Sequence, residues 1–314
     1  MPDVAVHLSF GEEVERSLPP EIQKVLQPDP YTFALLGPDI WFMHKPWVRR
    51  NGRGRRMHTT RTGEFLGRLA DEAIKSGENA AGVFSYLAGF ICHYALDSTA
   101  HPYVIRLTTT EYPLPGAHRA LEHSLDILEL QRTGTWGERH PMTKHAFRSI
   151  RLPREIGSAL DTAYLQTYGW VNSRRILNRS YRLFRFLYSL MENPKGIGVL
   201  LTKLTHSPFL KEMIYSESVF NGMDVENLEH RPWAHSHDDS IIYTDSFPDL
   251  REQARQKAVR IIQAVYDYVF LHRITKADLE AQIGNDSYLS GLPMGDPRSL
   301  TVPSMMPSEE QDPS

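Results

Sequence analysis

The 314-residue chain carries 35 Lys and Arg against 38 Asp and Glu, a formal net charge of -3 with histidine neutral, so no global field draws it to nucleic acid or to a membrane surface. Its 41% hydrophobic content is enough for a sizeable core, in one large domain or two modest ones. A single cysteine, Cys92, excludes an intramolecular disulfide framework and any cysteine-rich zinc finger.

The opening stretch, MPDVAVHLSFGEEVERS, has no basic segment followed by an apolar one, which reads as no secretion signal and a cytoplasmic protein. It places His7 just inside the amino terminus. Helical periodicity predicts helices over 20–27, 60–76 and 79–101. Between the first two lies a loop, 38–57, in which Asp39 falls within LLGPDIWF. Trp41, Phe42 and Trp47 follow closely, as an apolar wall or as core anchors. The run RRNGRGRR, residues 49–56, reads as a solvated flexible loop able to steer phosphates, and His58 comes next in RRMHTTRTGEF.

The helix over 79–101 holds the longest apolar run, AAGVFSYLAGFIC, too short to span a bilayer and expected in the core. Cys92 sits inside it as an inert buried thiol. In the same helix His93, Asp97 and His101 recur at intervals of four, and at about 100° per residue they share one stripe. A buried imidazole or carboxylate is costly without a partner, so this stripe requires either neighbouring donors or a cation. Pro102 is expected to end the helix there.

The next helix, 116–131, repeats the spacing with His118 and Glu122, and its short connection favours antiparallel packing against the first stripe. Further helices are predicted over 153–167, 172–192, 246–272 and 275–283. Arg175, Arg179 and Arg182 form a basic face in one of them, expected to be solvated. The loop 221–244 contains HRPWAHSHDDS, residues 230–240, which gathers Trp233, His235, His237 and Asp238 as a candidate cleft lining without ligand roles. Asp245 or Ser246 caps the following helix, with Pro248 in its first turn. No alternating strand with a hairpin turn stands out, and the class is all-α. Residues 1–290 read as a single multi-helix domain with long functional loops, and 291–314, rich in Pro, Ser and acidic groups, as a disordered tail.

His7, Asp39, His58, His93, Asp97, His101, His118 and Glu122 together make five imidazoles and three carboxylates without a thiolate. That donor set suits catalytic zinc, or manganese or iron, better than a structural zinc knot. More than one ion can be held by so large a set, with Asp97 central enough to bridge. Each pair by itself also fits an ordinary helical His–Asp or His–Glu contact, and spacing alone leaves both readings open.

The order GPD, MH, HYALDSTAHPY and HRALEH resembles the bacterial zinc-dependent phospholipase C family, related to fungal and plant single-strand nucleases. The matching segments run from about residue 3 to 130, and PW with TDSFPDLREQA at 232–254 is similar to the carboxy-terminal part of such proteins. The resemblance implies an all-helical fold with a trinuclear zinc cluster in a cleft that cleaves phosphate esters. It implies Asp39, His58, His93 and Asp97 as one site, Asp97 bridging to a second ion with His101 and His118, and Glu122 with His7 at a third. Two departures stand out: His101 follows Asp97 by four residues where secreted members use six, and the start MPDVAVH lacks the amino-terminal tryptophan that ligates zinc in those enzymes. Two zinc ions are therefore expected, and a third depends on His7 and Glu122.

The expected activity is phosphoric ester hydrolysis by a metal-bridging hydroxide attacking phosphorus, with Asp97 and Asp39 as the catalytic carboxylates and Asp39 either ligand or base. The substrate class is a phosphate ester, a phospholipid head group among the options, with nucleic acid less favoured. The alternative is a non-catalytic metal-binding structural or regulatory module on the same fold. The chain lacks a helical His-Asp dipeptide, paired Glu-x-x-His helices, a GxxxxGK loop and a GxSxG elbow, which sets aside other helical phosphohydrolases, di-iron proteins, nucleotide hydrolases and serine esterases.

Overall fold

The computed structural model describes residues 4–44, 52–114, 116–136, 147–192, 196–206, 210, 213–214, 220 and 222–300. In chain order its helices are α1 (Val4–Ser17), α2 (Pro20–Gln23), α3 (Pro28–Ala34), α4 (Gly52–Thr59), α5 (Thr62–Lys75) and α6 (Ala80–Arg106). They continue with α7 (Ala117–Arg132), α8 (Gly157–Tyr168), α9 (Ser173–Met191), α10 (Ile197–Thr205), α11 (Phe247–Tyr266) and α12 (Lys276–Ile283). A two-stranded antiparallel ribbon, β1 (Trp233–His235) and β2 (Asp238–Tyr243), pairs Trp233 with Tyr243 and precedes α11. The fold is all-α. No helix among the described residues is long and apolar enough to cross a membrane.

Helix α6 is the axis. Its sequence is apolar on every side, so it has no face to offer to water, and it is buried over almost its whole length. Helices α11, α3, α5 and α1 pack around it. The approach of α3 is closest at Gly89, where an added Cβ would overlap the carbonyl oxygen of Tyr31. The Tyr31 hydroxyl in turn donates to the Gly11 carbonyl at 2.7 Å, tying α3 to α1. Cys92 lies against the same hydroxyl at 3.3 Å, and burial pushes its thiol up to about 12, so it is inert as expected.

Three expectations need correction. Helix α6 does not stop at Pro102 but runs on to Arg106 and leaves through a wide turn, Leu107–Glu111. Proline removes one N–H from the ladder, and the carbonyl of Ser98, four residues before it, is covered by the backbone of Gly291. Segments read as loops or left unassigned are helical at α1, α3, α4 and α10, and the 221–244 segment contains the ribbon. Residues 291–300, read as the start of a disordered tail, carry structure: Met294 N–H donates to the Asn285 carbonyl at 2.7 Å, and Arg298 pairs with Asp238 at 2.6 Å and Asp296 at 2.7 Å. The remainder of that segment, 301–314, lies outside the described residues, as does Trp47. The cap of α11 is Ser246, whose side chain and backbone exchange hydrogen bonds with Asp249.

Replacing Gly89 by alanine tests the close approach. Alanine gains about 1 kcal/mol in helix propensity, but overpacking against Tyr31 costs about 1–3 kcal/mol or more. The expected net result is a lower denaturant midpoint with an unchanged slope; an unchanged or higher midpoint would refute the packing.

Candidate metal centre

His93, Asp97 and His101 project from α6 on one stripe, and all three are buried. Two of the imidazoles are oriented from behind by main-chain carbonyls. His93 Nδ1 lies 3.0 Å from the Leu35 carbonyl and His101 Nδ1 lies 2.8 Å from the Tyr288 carbonyl. A carbonyl only accepts, so Nδ1 carries the proton and Nε2 turns its lone pair inward. His58 on α4 repeats the device, with Nδ1 2.7 Å from the carbonyl of Gly54 one turn earlier. The close seat of His93 under the turn Gly37–Met43 needs Gly37: its φ is +43°, and a Cβ there would overlap the His93 ring.

The inward atoms converge on Asp97. His93 Nε2 is 3.1 Å from Oδ2, His7 Nε2 from α1 is 3.3 Å from Oδ1, and His58 Nε2 is 3.9 Å from Oδ2. His58 Nε2 also lies 3.2 Å from Asp39 Oδ1, which the turn after α3 supplies. The rings of His7 and His93 stack at 4.0 Å. On the far side of His101, α7 presents His118 and Glu122, 2.8 Å apart, with His101 Nε2 3.9 Å from the same carboxylate oxygen. Among the described residues three sets are compact enough to hold a metal ion: His7 with His93 and Asp97; Asp39 with His58 and His93; and His101 with His118 and Glu122.

Both ring nitrogens of His7, His93 Nε2, Asp39 Oδ1 and both oxygens of Asp97 are buried without a hydrogen-bond partner. Such atoms are rare in a folded core because each one forfeits hydration. For His93, with Nδ1 committed to Leu35, the deprotonated ring aims a lone pair at a carboxylate oxygen 3.1 Å away, acceptor against acceptor. A proton or a divalent cation between them resolves it, and the donor chemistry of the group fits zinc.

The charge states suit a cation. Burial alone raises the Asp97 carboxyl, but the fields of His93 and His101 and its contacts with His7 and His93 outweigh that and hold it well below the ordinary value, as an anion. Burial, reinforced by His93, lowers His7. Burial likewise holds His101 and His118 well below their ordinary value, although 29% of the His118 side chain meets solvent. His93 runs the other way, since Asp97 and Asp39 outweigh its burial and raise it. Asp97 is thus a permanent anion and His7, His101 and His118 are neutral, as metal binding requires, while His93 would give up a proton to a cation.

All eight residues singled out in the sequence thus meet in one region, but grouped differently from the expected scheme. His7 faces Asp97 and His93, whereas Glu122 closes on His101 and His118. The loop features behave otherwise. Trp41 is a core anchor against Trp170 and Tyr164, and Phe42 lies 5.3 Å from the His58 ring. Part of the basic run is helical, and Arg53 lies over Trp41 and Trp170, 5.1 and 4.9 Å from the ring centres. Trp233 is buried against Tyr243, while His235 pairs with the Ser290 carbonyl and His237 with Ser236; neither histidine belongs to a metal-competent set.

Sequence reasoning missed Asp126. Its buried carboxylate accepts the N–H groups of Ala5 and Val6 at 2.9 Å each, capping the first turn of α1 from α7 and so seating His7. A signal existed, because Asp126 continues the four-residue spacing of His118 and Glu122. Asp126→Ala should destabilise the protein by about 2–4 kcal/mol, since two buried donors lose a charged acceptor. The measurement is equilibrium denaturation of the metal-free protein, and a loss below about 0.5 kcal/mol would show that α1 is held by packing alone.

Comparison with curated proteins and with solved structures gave no match. A family model described as zinc dependent phospholipase C matches residues 6–174, more than half of the 314 and a stretch that includes all eight clustered residues. Five imidazoles and three carboxylates converge inside that stretch, and the chain belongs to the zinc dependent phospholipase C family.

Proposed function

We propose that the protein is a zinc-dependent phosphoric ester hydrolase of phospholipase C type, acting on a phosphodiester such as a phospholipid head group. The observation that carries the reading is the opposition of His93 Nε2 and Asp97 Oδ2 at 3.1 Å, each buried and without a donor. His93 has one free nitrogen, so the two sets that share it reduce to one, and the set on α7 is separate. Two ions follow: one held by Asp39, His58, His93 and Asp97, the other by His101, His118 and Glu122. His7 reaches the remaining oxygen of Asp97 and adds to the first. A third ion on Glu122 and His7 is not favoured by this grouping. A cytoplasmic setting fits a chain whose one cysteine is a buried thiol.

Zinc, when bound, lowers the pKa of water and neutralises charge on phosphoryl oxygens. The chain's residues supply position and proton handling. His58, His93 and His101 are fixed by carbonyls behind them, so their inward nitrogens do not reorganise during turnover. Asp97, wholly buried, is a permanent anion that joins the elements of the first set. Asp39 is the better base: its side chain is 10% exposed against 0% for Asp97 and 3% for Glu122, so it can orient a water and take its proton.

Elemental analysis of the purified protein should find about two zinc ions per chain, and bis-p-nitrophenyl phosphate should be hydrolysed. Asp97→Asn should remove zinc from the first set and lower turnover at least about a hundredfold. Full zinc occupancy with no turnover of any ester would replace the hydrolase by a non-catalytic metal-binding module.

Proton competition has a defined sign. His101 and His118 of the α7 set are held well below the ordinary imidazole value and stay neutral as pH falls through it, whereas His93 of the first set is raised and takes up a proton sooner. On acidification the first set should therefore release its zinc before the α7 set, as followed by a chromogenic chelator during titration. Release of the α7 ion first would contradict this assignment of charge states.

A further inference from the structure

Helices α9 and α10 carry a surface that the metal centre does not use. On α9, Arg175, Arg179, Arg182 and Phe186 fall on one stripe, and all four are exposed, Phe186 at 56%. On α10, Ile197, Leu200 and Leu204 share another stripe and are 59%, 55% and 68% exposed. Helix α10 abuts the end of α9 that bears Phe186, with Gly198 seated against the Leu190 carbonyl. Large apolar side chains grouped in this way are unusual on a protein that works alone in water.

Charge says what the patch faces. Neither helix contains an acidic residue, whereas α9 contributes Arg174, Arg175, Arg179, Arg182 and Arg185 and α10 contributes Lys203. An apolar stripe with a basic flank matches a bilayer carrying anionic lipid, in which acyl chains receive the apolar groups and head groups receive the arginines. Helix α9 turns its other face inward: Arg119, next to His118, donates to the buried Tyr188 hydroxyl at 3.3 Å, while Phe186, about 200° around the helix, stays in solvent.

We infer that the α9–α10 face docks on an anionic lipid surface. This rests on the phospholipid reading of the active site, and the experiment separates the two. Full-length protein is floated with vesicles of phosphatidylcholine alone or with about one-third phosphatidylglycerol, at about 0.1 M salt. Wild type should bind the mixed vesicles and not the neutral ones. Leu200→Glu with Leu204→Glu, and separately Arg179→Glu with Arg182→Glu, should each reduce the bound fraction about tenfold. Hydrolysis of soluble bis-p-nitrophenyl phosphate and the thermal midpoint should stay unchanged in both variants. Equal binding to the two vesicle types, no binding to either, or binding by the variants equal to wild type would each overturn the inference. So would a dimer in sedimentation that the leucine substitutions dissociate, which would assign the face to a second copy of the chain. Vesicle binding without turnover of the soluble ester would leave the docking face standing and remove the hydrolase.

Discussion

A carboxylate within a buried, mostly apolar helix is the constraint on which the remaining architecture turns. Asp97 has no exposure, and its two oxygens face imidazole nitrogens instead of donors of their own. A lone anion in that position would carry a desolvation cost well beyond the marginal stability of a domain. Its pKa is nevertheless held low, because the histidine fields outweigh burial. The chain thus keeps the charge and relies on what surrounds it, which sets the positions of α1, the Gly37–Met43 turn and α4.

Those elements meet Asp97 only because each is anchored elsewhere. Carbonyls of Leu35, Gly54 and Tyr288 fix three imidazoles, and Tyr288 belongs to a segment after α12 that is remote in sequence from the ligands. Asp126 fixes the first turn of α1, and Arg251 on α11 reinforces it by bonding Glu13 and Ser9 of α1 together with Glu129 of α7. Rigidity at the cluster is therefore distributed over the whole fold. The same anchors serve stability and geometry at once.

What the sequence made legible was whatever rests on local period. The stripe of His93, Asp97 and His101 and its echo in His118 and Glu122 follow from 3.6 residues per turn, and the eight-residue set could be named before any coordinate. What stayed hidden depends on partners far along the chain. The first turn of helix α1 is capped by Asp126, about 120 residues away, a partner that no local pattern reveals. Helix α4, GRGRRMHT, contains two glycines and little intrinsic helicity; Arg53 over Trp41 and Trp170 holds it. The helix passes Pro102 because Gly291 covers the carbonyl that proline leaves unbonded. The grouping of the eight residues depends on the same long-range packing, which alone brings His7 to Asp97.

The exposure pattern bears on whether such a centre turns over or only holds metal. A structural site is closed on all sides, whereas a catalytic one keeps a position open to substrate. Seven of the eight side chains here are at most 10% exposed, and His118 alone reaches 29%. The opening thus falls on the α7 set, beside Arg119, while Asp39 gives the other set a narrower contact with solvent. A module built only to be stabilised by zinc would gain from burying His118 as deeply as His93. Leaving that edge in water weakens the site as a structural clamp, which fits the proposed hydrolase better than a module that only holds metal.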